Sequence, residues 1–434
     1  MAEIFPFAAY RYDASRVKLE DALTQPYDKI TPAMQERYYG LHPDNLIAVE
    51  KGRSLPGDSA RENVYTRAAR ALEDWIARRV LLREPAPAVY VYAQEFAAPG
   101  TGQRLSRRGL IALGRVYDYA DGVVLPHEQT LAGPRADRLE LLRHTRAHTG
   151  QLFMLYSDPR REVDALLDAA ALPRGSAGLR DEFGVTHAVW PVTDPAAIAP
   201  FQRAMSDKKL VIADGHHRYE TALAYRNERR AAAPGAAPDA PWEKVMMTLV
   251  GIEQGLLILP AHRVLANLSG FDFGAIRSQL EAWFDVRALA LDTDAPFRSV
   301  LAEEARRGRA LGLFAAGRYH LLRLRPDADL AALLADVPPA QRSLDVVLLH
   351  RLILERALGI TAAAVSGEKN ITYEREMEIA VRAAREGRAQ LAFLLNPVTV
   401  EQTVAMALAG EVLPQKSTDF YPKLLSGLAI YRME

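Results

Sequence analysis

One short segment, residues 212–221, restricts what this chain can fold into more than any other. It reads Ile-Ala-Asp-Gly-His-His-Arg-Tyr-Glu-Thr. The apolar run that leads into it, residues 210–212, is typical of a short buried strand. After it, positions 219, 222, 223 and 226 recur at the three- and four-residue spacing of a helix. The segment therefore predicts a strand, a tight turn at Gly215 and a helix.

The polar residues of this turn suit the chemistry of phosphate. The first N–H groups of a helix carry partial positive charge and attract anions. Arg218 adds a planar fork of donors that matches phosphate oxygens, and Asp214 can hold a divalent cation or orient a histidine. His216 and His217 point about 100° apart on a helix, which favours separate roles over one shared metal ion. A solvated strand–helix junction with a capping aspartate is the simpler alternative.

The composition of the 434-residue chain excludes several classes of function. It contains no cysteine, which removes disulfides, thiolate nucleophiles and cysteine metal sites. Lys and Arg number 54, as do Asp and Glu, so no overall positive charge attracts nucleic acid or anionic lipid. The N-terminus is not typical of a signal peptide, and no apolar run is long enough to span a bilayer. We expect a cytoplasmic protein without nucleic-acid or membrane partners; a homo-oligomer stays open.

Periodicity along the chain predicts a mixed α/β (α+β) fold with several layers. The main expected elements are a strand over 45–50, a helix over 62–83, a hairpin over 88–117, a helix over 134–148, two antiparallel strands over 245–250 and 256–259, and a final series of helices and strands over 344–409. The chain is expected to divide into an N-terminal α/β region (1–95), a core that holds the phosphate turn (96–264), a small α+β insertion or lid (265–340), and a C-terminal α/β region that completes the site (341–434).

A loop glutamate is the candidate general base. Glu128 follows His127 directly after a proline. A carboxylate on a loop can take the proton of a hydroxyl group, although a solvated surface glutamate is the alternative. Arg138 lies on the next predicted helix and joins the candidates for binding the phosphate donor.

A second loop offers further donors for phosphate. It lacks the glycines that a P-loop requires, so a Walker A site is rejected. It still concentrates polar donors within eight residues: Lys416, Ser417, Thr418, Tyr421 and Lys423. We therefore interpret residues 416–423 as a second phosphate-binding segment, with a solvated loop as the alternative.

Two histidines have a spacing that can bind zinc, but a residue between them argues against a metal site. His144 and His148 stand four residues apart on a predicted helix, a spacing that can bind zinc. Thr145 occupies the place of the glutamate that the His-Glu-x-x-His pattern requires. The sequence therefore favours no zinc site here.

Nearly the whole chain resembles a large bacterial and archaeal family of domains of unknown function. The turn motif carries this resemblance together with several further segments: Gln25-Pro-Tyr-Asp28, His127-Glu128, residues 130–139, Leu259-Pro-Ala-His-Arg263, Leu344-Asp-Val, Pro414-Gln-Lys-Ser-Thr and residues 421–427.

The turn also resembles the phosphate-binding turn of the ParB/sulfiredoxin superfamily, which includes CTP-binding partition proteins, sulfiredoxin and free L-serine kinases. This resemblance implies a ParB/sulfiredoxin-like core with additional α+β segments. It also implies that the turn residues face phosphate: Gly215, His216, His217 and Arg218.

In the serine kinases, an aspartate of this turn and a separate glutamate serve the reaction. The analogy assigns those roles to Asp214 and Glu128. The spacing between these two residues is longer than in the small kinases, so an insertion has to be assumed. Glu50 and Glu220 remain rivals of Glu128.

We therefore expect a phosphotransferase that acts on the hydroxyl of a small metabolite, with free L-serine as the best candidate. Arg218, the helix start and Lys416 would hold a donor such as ATP, ADP or pyrophosphate, and Asp214 would hold Mg²⁺ with donor oxygens. Glu128 would take the proton, with His216 and His217 as further catalytic candidates. A phosphoester hydrolase with the same site and a non-catalytic, ParB-type nucleotide-binding switch are the alternatives.

Overall fold

The computed structural model describes residues 1–128, 132–170, 178–342, 344–361, 364–365, 370–414 and 416–434, with the side chains of 132–134 left aside. Parts of two segments that carry the family resemblance, residues 130–131 and Gln415, lie outside these ranges. Contacts divide the chain into two units. The first comprises Met1–Pro126, Thr130–Leu257 and Pro422–Glu434, and the second His127–Gln129 and Ile258–Tyr421.

A large mixed sheet forms the centre of the first unit. Its strands are Ile4–Phe5, Val89–Ala97, Arg104–Arg115, Val124–Leu125, Leu152–Tyr156, Leu179–Arg180, Thr186–Val192, Leu210–Asp214 and Lys244–Gly251. The strand that leads into the turn, Leu210–Asp214, pairs parallel with Val124–Leu125 and antiparallel with Leu152–Tyr156. Both of its neighbours are apolar, which explains why it reads as a short continuous hydrophobic run.

Helices cover this sheet and bury its apolar side chains. They are Leu19–Ala22, Pro32–Leu41, Ile47–Glu50, Val64–Ala77, Ala132–Thr145, Glu162–Ala169, Pro195–Met205 and His216–Ala232, with 3₁₀ turns at Tyr27–Lys29, Tyr119–Asp121 and Pro241–Glu243. Val163, Phe201 and Tyr219 pack from three of these helices into one cluster with the sheet residues Met154 and Ile212. Burial of such side chains contributes about 1.5–3 kcal/mol each.

The last residues of the chain belong to the first unit. Tyr431–Arg432 pairs antiparallel with Ala147–His148, and Tyr10–Tyr12 pairs with Leu81–Arg83 in a separate small sheet. The Gly427 N–H donates to the carbonyl of Thr149 over 2.8 Å. The C-terminal segment thereby brings residues 422–427 to the same unit as the turn.

An antiparallel sheet organises the second unit. Its strands follow the order Phe284–Leu289, Arg318–Leu324, Ala310–Ala315, Leu391–Leu394, His262–Leu265 and Ile371–Glu374. A smaller sheet pairs Leu257–Leu259 with Asp419–Tyr421. The helices are Phe273–Leu280, Asp294–Arg307, Leu330–Leu333, Asp345–Leu348, Met377–Arg385 and Val400–Leu408, with a π-helix at Leu349–Ala357.

Helices pack on both faces of this second sheet. Along the strand Ala310–Ala315, Leu311 and Leu313 belong to one apolar cluster, whereas Ala310 and Phe314 belong to another. Alternate residues of a strand face opposite sides, so the unit has three layers.

The predicted mixed α/β class is confirmed, as is the hairpin. Residues 265–340 contain both helices and strands, as predicted. The strands of that predicted insertion share one sheet with His262–Leu265 and Leu391–Leu394. The four-region division itself stays a prediction.

Three predicted elements are wrong. Residues 45–50 form the helix Ile47–Glu50 instead of a strand, and the Asn45 side chain accepts the N–H of Ile47 over 2.8 Å at its start. The helix predicted to reach residue 148 ends at Thr145, since Arg146 has a positive φ of 49°. The two strands predicted over 245–250 and 256–259 do not pair with each other, because each joins a different sheet.

None of the helices within the described ranges has the length and apolar character needed to cross a membrane.

Candidate functional site

The predicted strand–turn–helix is present. The backbone angle and the close packing at its turn both require glycine at position 215. Gly215 has φ of 94° and precedes the helix His216–Ala232, a backbone conformation that other residues rarely adopt. A Cβ atom there would lie 3.0 Å from Leu152 Cδ2 and 3.1 Å from Arg218 Nε. A shift of register between Ile212 and Asp214 marks a bulge just before the turn, and bulges of this kind re-aim side chains next to sites.

Asp214 lies among positive charges. Lys423 places its Nζ 2.9 Å from Asp214 Oδ2, and Arg218 places Nη2 4.0 Å from Oδ1. Lys423 is buried, so the pair is little exposed to solvent. It joins residues that are more than two hundred positions apart in the sequence. The turn predicted to bind phosphate therefore holds a cationic cluster around one carboxylate.

The charges of this cluster change the acidity of Asp214. Burial by itself would raise the pKa of the carboxyl group, but Lys423, Arg218 and Lys29 together hold that pKa well below its ordinary value. Asp214 is therefore ionised at neutral pH. Burial also lowers the pKa of His217, since nearby carboxylates oppose only part of that effect, and a lowered pKa favours a neutral imidazole.

Arg218 is fixed by the chain around it. Its Nη1 donates to the carbonyl of Gln151 over 2.6 Å. A Cβ atom at Gly150 would lie 3.1 Å from that same nitrogen, so the absence of a side chain there makes room for the guanidinium. Among the described residues, the buried Nε of Arg218 has no hydrogen-bond partner, which leaves one donor for an acceptor on a ligand.

Arg138 shares a small cavity with Arg218, lined also by Tyr27, Glu50 and His148. Its Nη1 donates to the carbonyl of Glu50 over 2.7 Å, and its guanidinium lies 4.3 Å from the centre of the Tyr27 ring. Burial lowers the pKa of His148 to about 4, assisted by the charge of Arg218. The cavity wall is therefore positive at Arg138 and Arg218 and neutral at His148.

The other predicted residues form a cluster in the second unit. Glu128 accepts the N–H of Lys416 over 2.7 Å and the hydroxyl of Thr418 over 3.3 Å. The buried His127 places Nε2 2.7 Å from the same hydroxyl oxygen. If Nε2 carries the proton, the hydroxyl accepts from His127 and donates to Glu128, so the two hydrogen bonds orient this carboxylate.

Arg263 and Tyr373 contact the loop that carries Lys416. Arg263 is buried, donates Nη2 to the carbonyl of Lys416 over 3.2 Å and stacks on Tyr373 at 5.1 Å, while the Lys416 ammonium lies 4.6 Å from that ring. Burial lowers the pKa of Arg263 to about 10, so it remains charged at neutral pH. The Ser417 hydroxyl donates to the carbonyl of Pro414 over 2.5 Å. The side chains of Lys416 and Ser417 therefore both contact residues of the second unit.

The structure therefore groups the predicted residues in two sets. Asp214, Gly215, Arg218, Lys423 and Arg138 come together in the first unit. Glu128 and Thr418 come together with Lys416 and Ser417 in the second. His216 and His217 occupy the first turn of the helix that follows Gly215. Of the rival glutamates, Glu50 lines the cavity, whereas Glu220 lies 3.9 Å from Arg135.

Sequence reasoning did not select several residues that the structure brings to these clusters: Tyr27, Lys29, Thr149, Arg263, Tyr373 and Ser426. A signal existed for three of them, because Tyr27, Arg263 and Ser426 lie in the segments that carry the family resemblance. Within the described part of the chain, no group of three or more His, Asp and Glu side chains is placed to hold a metal ion.

Fold and site together define a mixed α/β protein whose strand–turn–helix carries a cationic cluster. The chain belongs to the family described as a protein of unknown function, DUF1015, whose sequence pattern matches residues 4–347. No curated protein matches the chain.

Solved structures that resemble the chain include a free serine kinase mutant in complex with ADP, at 12% identity and a TM-score of 0.36, over 71% of this chain and 90% of the other. A free serine kinase in complex with AMP follows at 13% and 0.35, over 71% and 89%. SbnI with a C-terminal truncation, from Staphylococcus aureus, matches at 12% and 0.34, over 73% and 87%.

Proposed function

We propose that this protein is a phosphotransferase that phosphorylates the hydroxyl group of a small metabolite, with free L-serine as the acceptor. The observation that carries the proposal is the cluster at the turn, where Lys423 and Arg218 flank the ionised Asp214 at the start of a helix. Two fixed cations and a helix N-terminus suit the oxygens of a phosphate donor such as pyrophosphate, ADP or ATP.

Phosphoryl transfer asks the protein mainly for positioning and for neutralisation of charge. The acceptor oxygen attacks the terminal phosphorus of the donor, the bond from that phosphorus to the leaving oxygen breaks, and the hydroxyl proton passes to a base. Lys423 and Arg218 stabilise the charge on the donor oxygens. The base is Glu128, a role assigned on the resemblance to the serine kinases.

In this proposal Mg²⁺ would be held mainly by oxygens of the phosphate donor, because Lys423 already pairs with Asp214. Asp214 offers an ionised oxygen, the ligand type that Mg²⁺ prefers, and Mg²⁺ in such sites takes most of its ligands from water and substrate phosphates. Bound there, the ion would spread the negative charge of the transferring phosphoryl group. Asp214 also orders Lys423 and Arg218 with or without the ion.

Direct detection of the product tests the proposal. Purified protein is incubated with Mg²⁺ and L-serine, and with pyrophosphate, ADP or ATP in turn, and O-phosphoserine is measured by mass spectrometry. We expect phosphoserine with one donor, and loss of product on chelation of Mg²⁺. The Asp207→Asn variant serves as the control for Asp214→Asn, because Asp207 is an exposed aspartate of the same unit.

Other outcomes contradict the proposal in distinguishable ways. Release of inorganic phosphate without an acceptor indicates a phosphoester hydrolase. Tight nucleotide binding without any phosphorylated product indicates a binding switch. Equal product formation by wild type and Asp214→Asn would show that the turn is not the site.

A further inference from the structure

A buried carboxylate lines the cavity beside Arg218. Glu50 is 2% exposed. Its Oε2 accepts the hydroxyl of Thr149 over 2.5 Å, and its Oε1 accepts the hydroxyl of Ser426 over 3.0 Å. In the described part of the chain, no Lys, Arg or His side chain forms an ion pair with this carboxylate. A buried carboxylate that accepts only from hydroxyl groups can gain a charge-assisted hydrogen bond from a cationic group of a ligand.

Several elements have to meet to build this carboxylate into the cavity. Glu50 ends the short helix Ile47–Glu50, Thr149 follows the strand Ala147–His148, and Ser426 comes from the C-terminal segment. A Cβ atom at Gly150 would lie 2.9 Å from Ser426 Oγ and 3.6 Å from Glu50 Oε1. Glycine at this position therefore leaves the space in front of the carboxylate open.

Two arginines contribute the opposite charge to this lining, and one of them, Arg138, is also paired with Asp137 at 2.6 Å. Arg138 and Arg218 line the same cavity of about 40 Å³, which is partly open to solvent, while His148 is neutral above a pKa of about 4. A ligand that complements this lining carries one ammonium group and one anionic group. The size of the cavity restricts it to a small molecule.

We propose that Glu50 binds the ammonium group of an α-amino acid, and that Arg138 and Arg218 provide the positive wall for its carboxylate. This inference rests on the proposed function in one respect, that the amino acid is the acceptor of the phosphoryl group. Arg218 then borders both ligands, because it lines this cavity and also lies 4.0 Å from Asp214. Glu50 is a substrate-binding residue, and a base is not required of it.

The Glu50→Gln variant tests the inference, because glutamine keeps the shape, can accept from one hydroxyl and donate to the other, and loses the charge. Glu243→Gln is the matched control: Glu243 is equally buried in the same unit and pairs with Arg230 away from the cavity. Steady-state kinetics are measured with L-serine and with 3-hydroxypropanoate, which has the hydroxyl and the carboxylate but no ammonium group.

We expect Glu50→Gln to raise the KM for L-serine by roughly 10–100-fold, as loss of a hydrogen bond to a charged group predicts, with kcat changed by less than about threefold. Wild type is expected to use 3-hydroxypropanoate poorly, and the KM for that compound is expected to be the same in wild type and Glu50→Gln. Glu243→Gln is expected to match wild type with both acceptors.

Calorimetric binding separates failure of this inference from failure of the proposed function. L-Alanine, which has no hydroxyl, is titrated into wild type and into Glu50→Gln. Binding to wild type alone supports the ammonium site even if no acceptor is phosphorylated. Equal binding to both proteins, or no binding to wild type, overturns it. A variant that loses kcat at unchanged KM, together with the acidic limb of the pH–rate profile, would show that Glu50 is a base instead.

Discussion

Asp214 in the first unit and Glu128 in the second are carboxylates of similar burial that are held in different ways. Cationic side chains surround Asp214, with Lys423 at 2.9 Å. Glu128 is held by a backbone N–H and a hydroxyl group, with His127 Nε2 4.0 Å away. A carboxylate paired with fixed cations resists protonation, because a proton would cost it those ion pairs.

The surroundings of the two carboxylates suit different roles. Asp214 suits the ordering of positive charge around a phosphate donor, because its pKa is far below neutrality. Glu128 suits proton transfer, because a backbone N–H and a hydroxyl group orient its carboxylate on a loop. Substitutions at the two carboxylates and their partners test these roles.

The largest effect is expected for Asp214→Asn. Loss of the charge removes the ion pair between Asp214 and the buried Lys423, so activity should fall by about a thousandfold or more, and the free energy of unfolding by about 2–4 kcal/mol. Product formation and chemical denaturation measure the two losses. The double variant Asp214→Asn with Lys423→Met should recover stability without recovering activity; recovery of both would reduce Asp214 to a structural role.

Glu128→Gln should lower kcat by roughly 10²–10⁴-fold, the usual contribution of a general base. Glutamine can still accept the N–H of Lys416 with its oxygen and donate its amide N–H to the Thr418 hydroxyl, so the free energy of unfolding should change by less than about 1 kcal/mol. The kcat is measured across pH, and the acidic limb should disappear in the variant. An unchanged pH–rate profile would argue against Glu128 as the base.

Thr418→Val should have a smaller effect, because it removes only the hydroxyl between His127 and Glu128. We expect kcat to fall about three- to tenfold and the free energy of unfolding to fall by about 1–2 kcal/mol, since the buried His127 loses a partner. Thr418→Ser, which keeps the hydroxyl, is the control and should stay near wild type. A Thr418→Val variant with wild-type kcat would show that the hydroxyl does not orient the base.

A pH effect on stability is expected in the second unit at Asp345. Burial raises the pKa of this carboxyl group to about 6, so the folded state binds a proton that the unfolded state releases. The stability from this group is therefore present below about pH 4 and lost as pH rises to about 6. Asp345→Asn should raise stability at pH 7 by about 1–2 kcal/mol, because partial exposure reduces the full effect; denaturation at pH 4 and pH 7 measures it.

The first unit should respond to pH with the opposite sign at His148. Burial lowers the pKa of this imidazole to about 4, so its contribution to stability is present above the unfolded value of about 6.5 and is lost as pH falls toward 4. His148→Gln should make the denaturation midpoint less dependent on pH across this range. A midpoint that stays equally dependent on pH in the variant would contradict this assignment.

Local chemistry made much of the first cluster predictable. The apolar run, the glycine and the helical spacing predicted the strand, turn and helix around Gly215, and the structure confirms them. The helix Ile47–Glu50 was mispredicted as a strand, because its apolar residues also fit a buried strand; the Asn45 side chain accepts the N–H of Ile47 just before it. No local pattern could show that Glu50 meets Thr149 and Ser426, since those residues are 99 and 376 positions away.

The sequence by itself determined the turn, its set of polar residue types, the mixed α/β class and membership of the family, because each depends on residues that are close together or on a recurring motif. Only the tertiary structure decided which charges meet. Lys423 reaches Asp214 because the C-terminal segment returns to the first unit and pairs with Ala147–His148. Electrostatic interactions depend on distance in space, and separation along the chain does not reveal that distance.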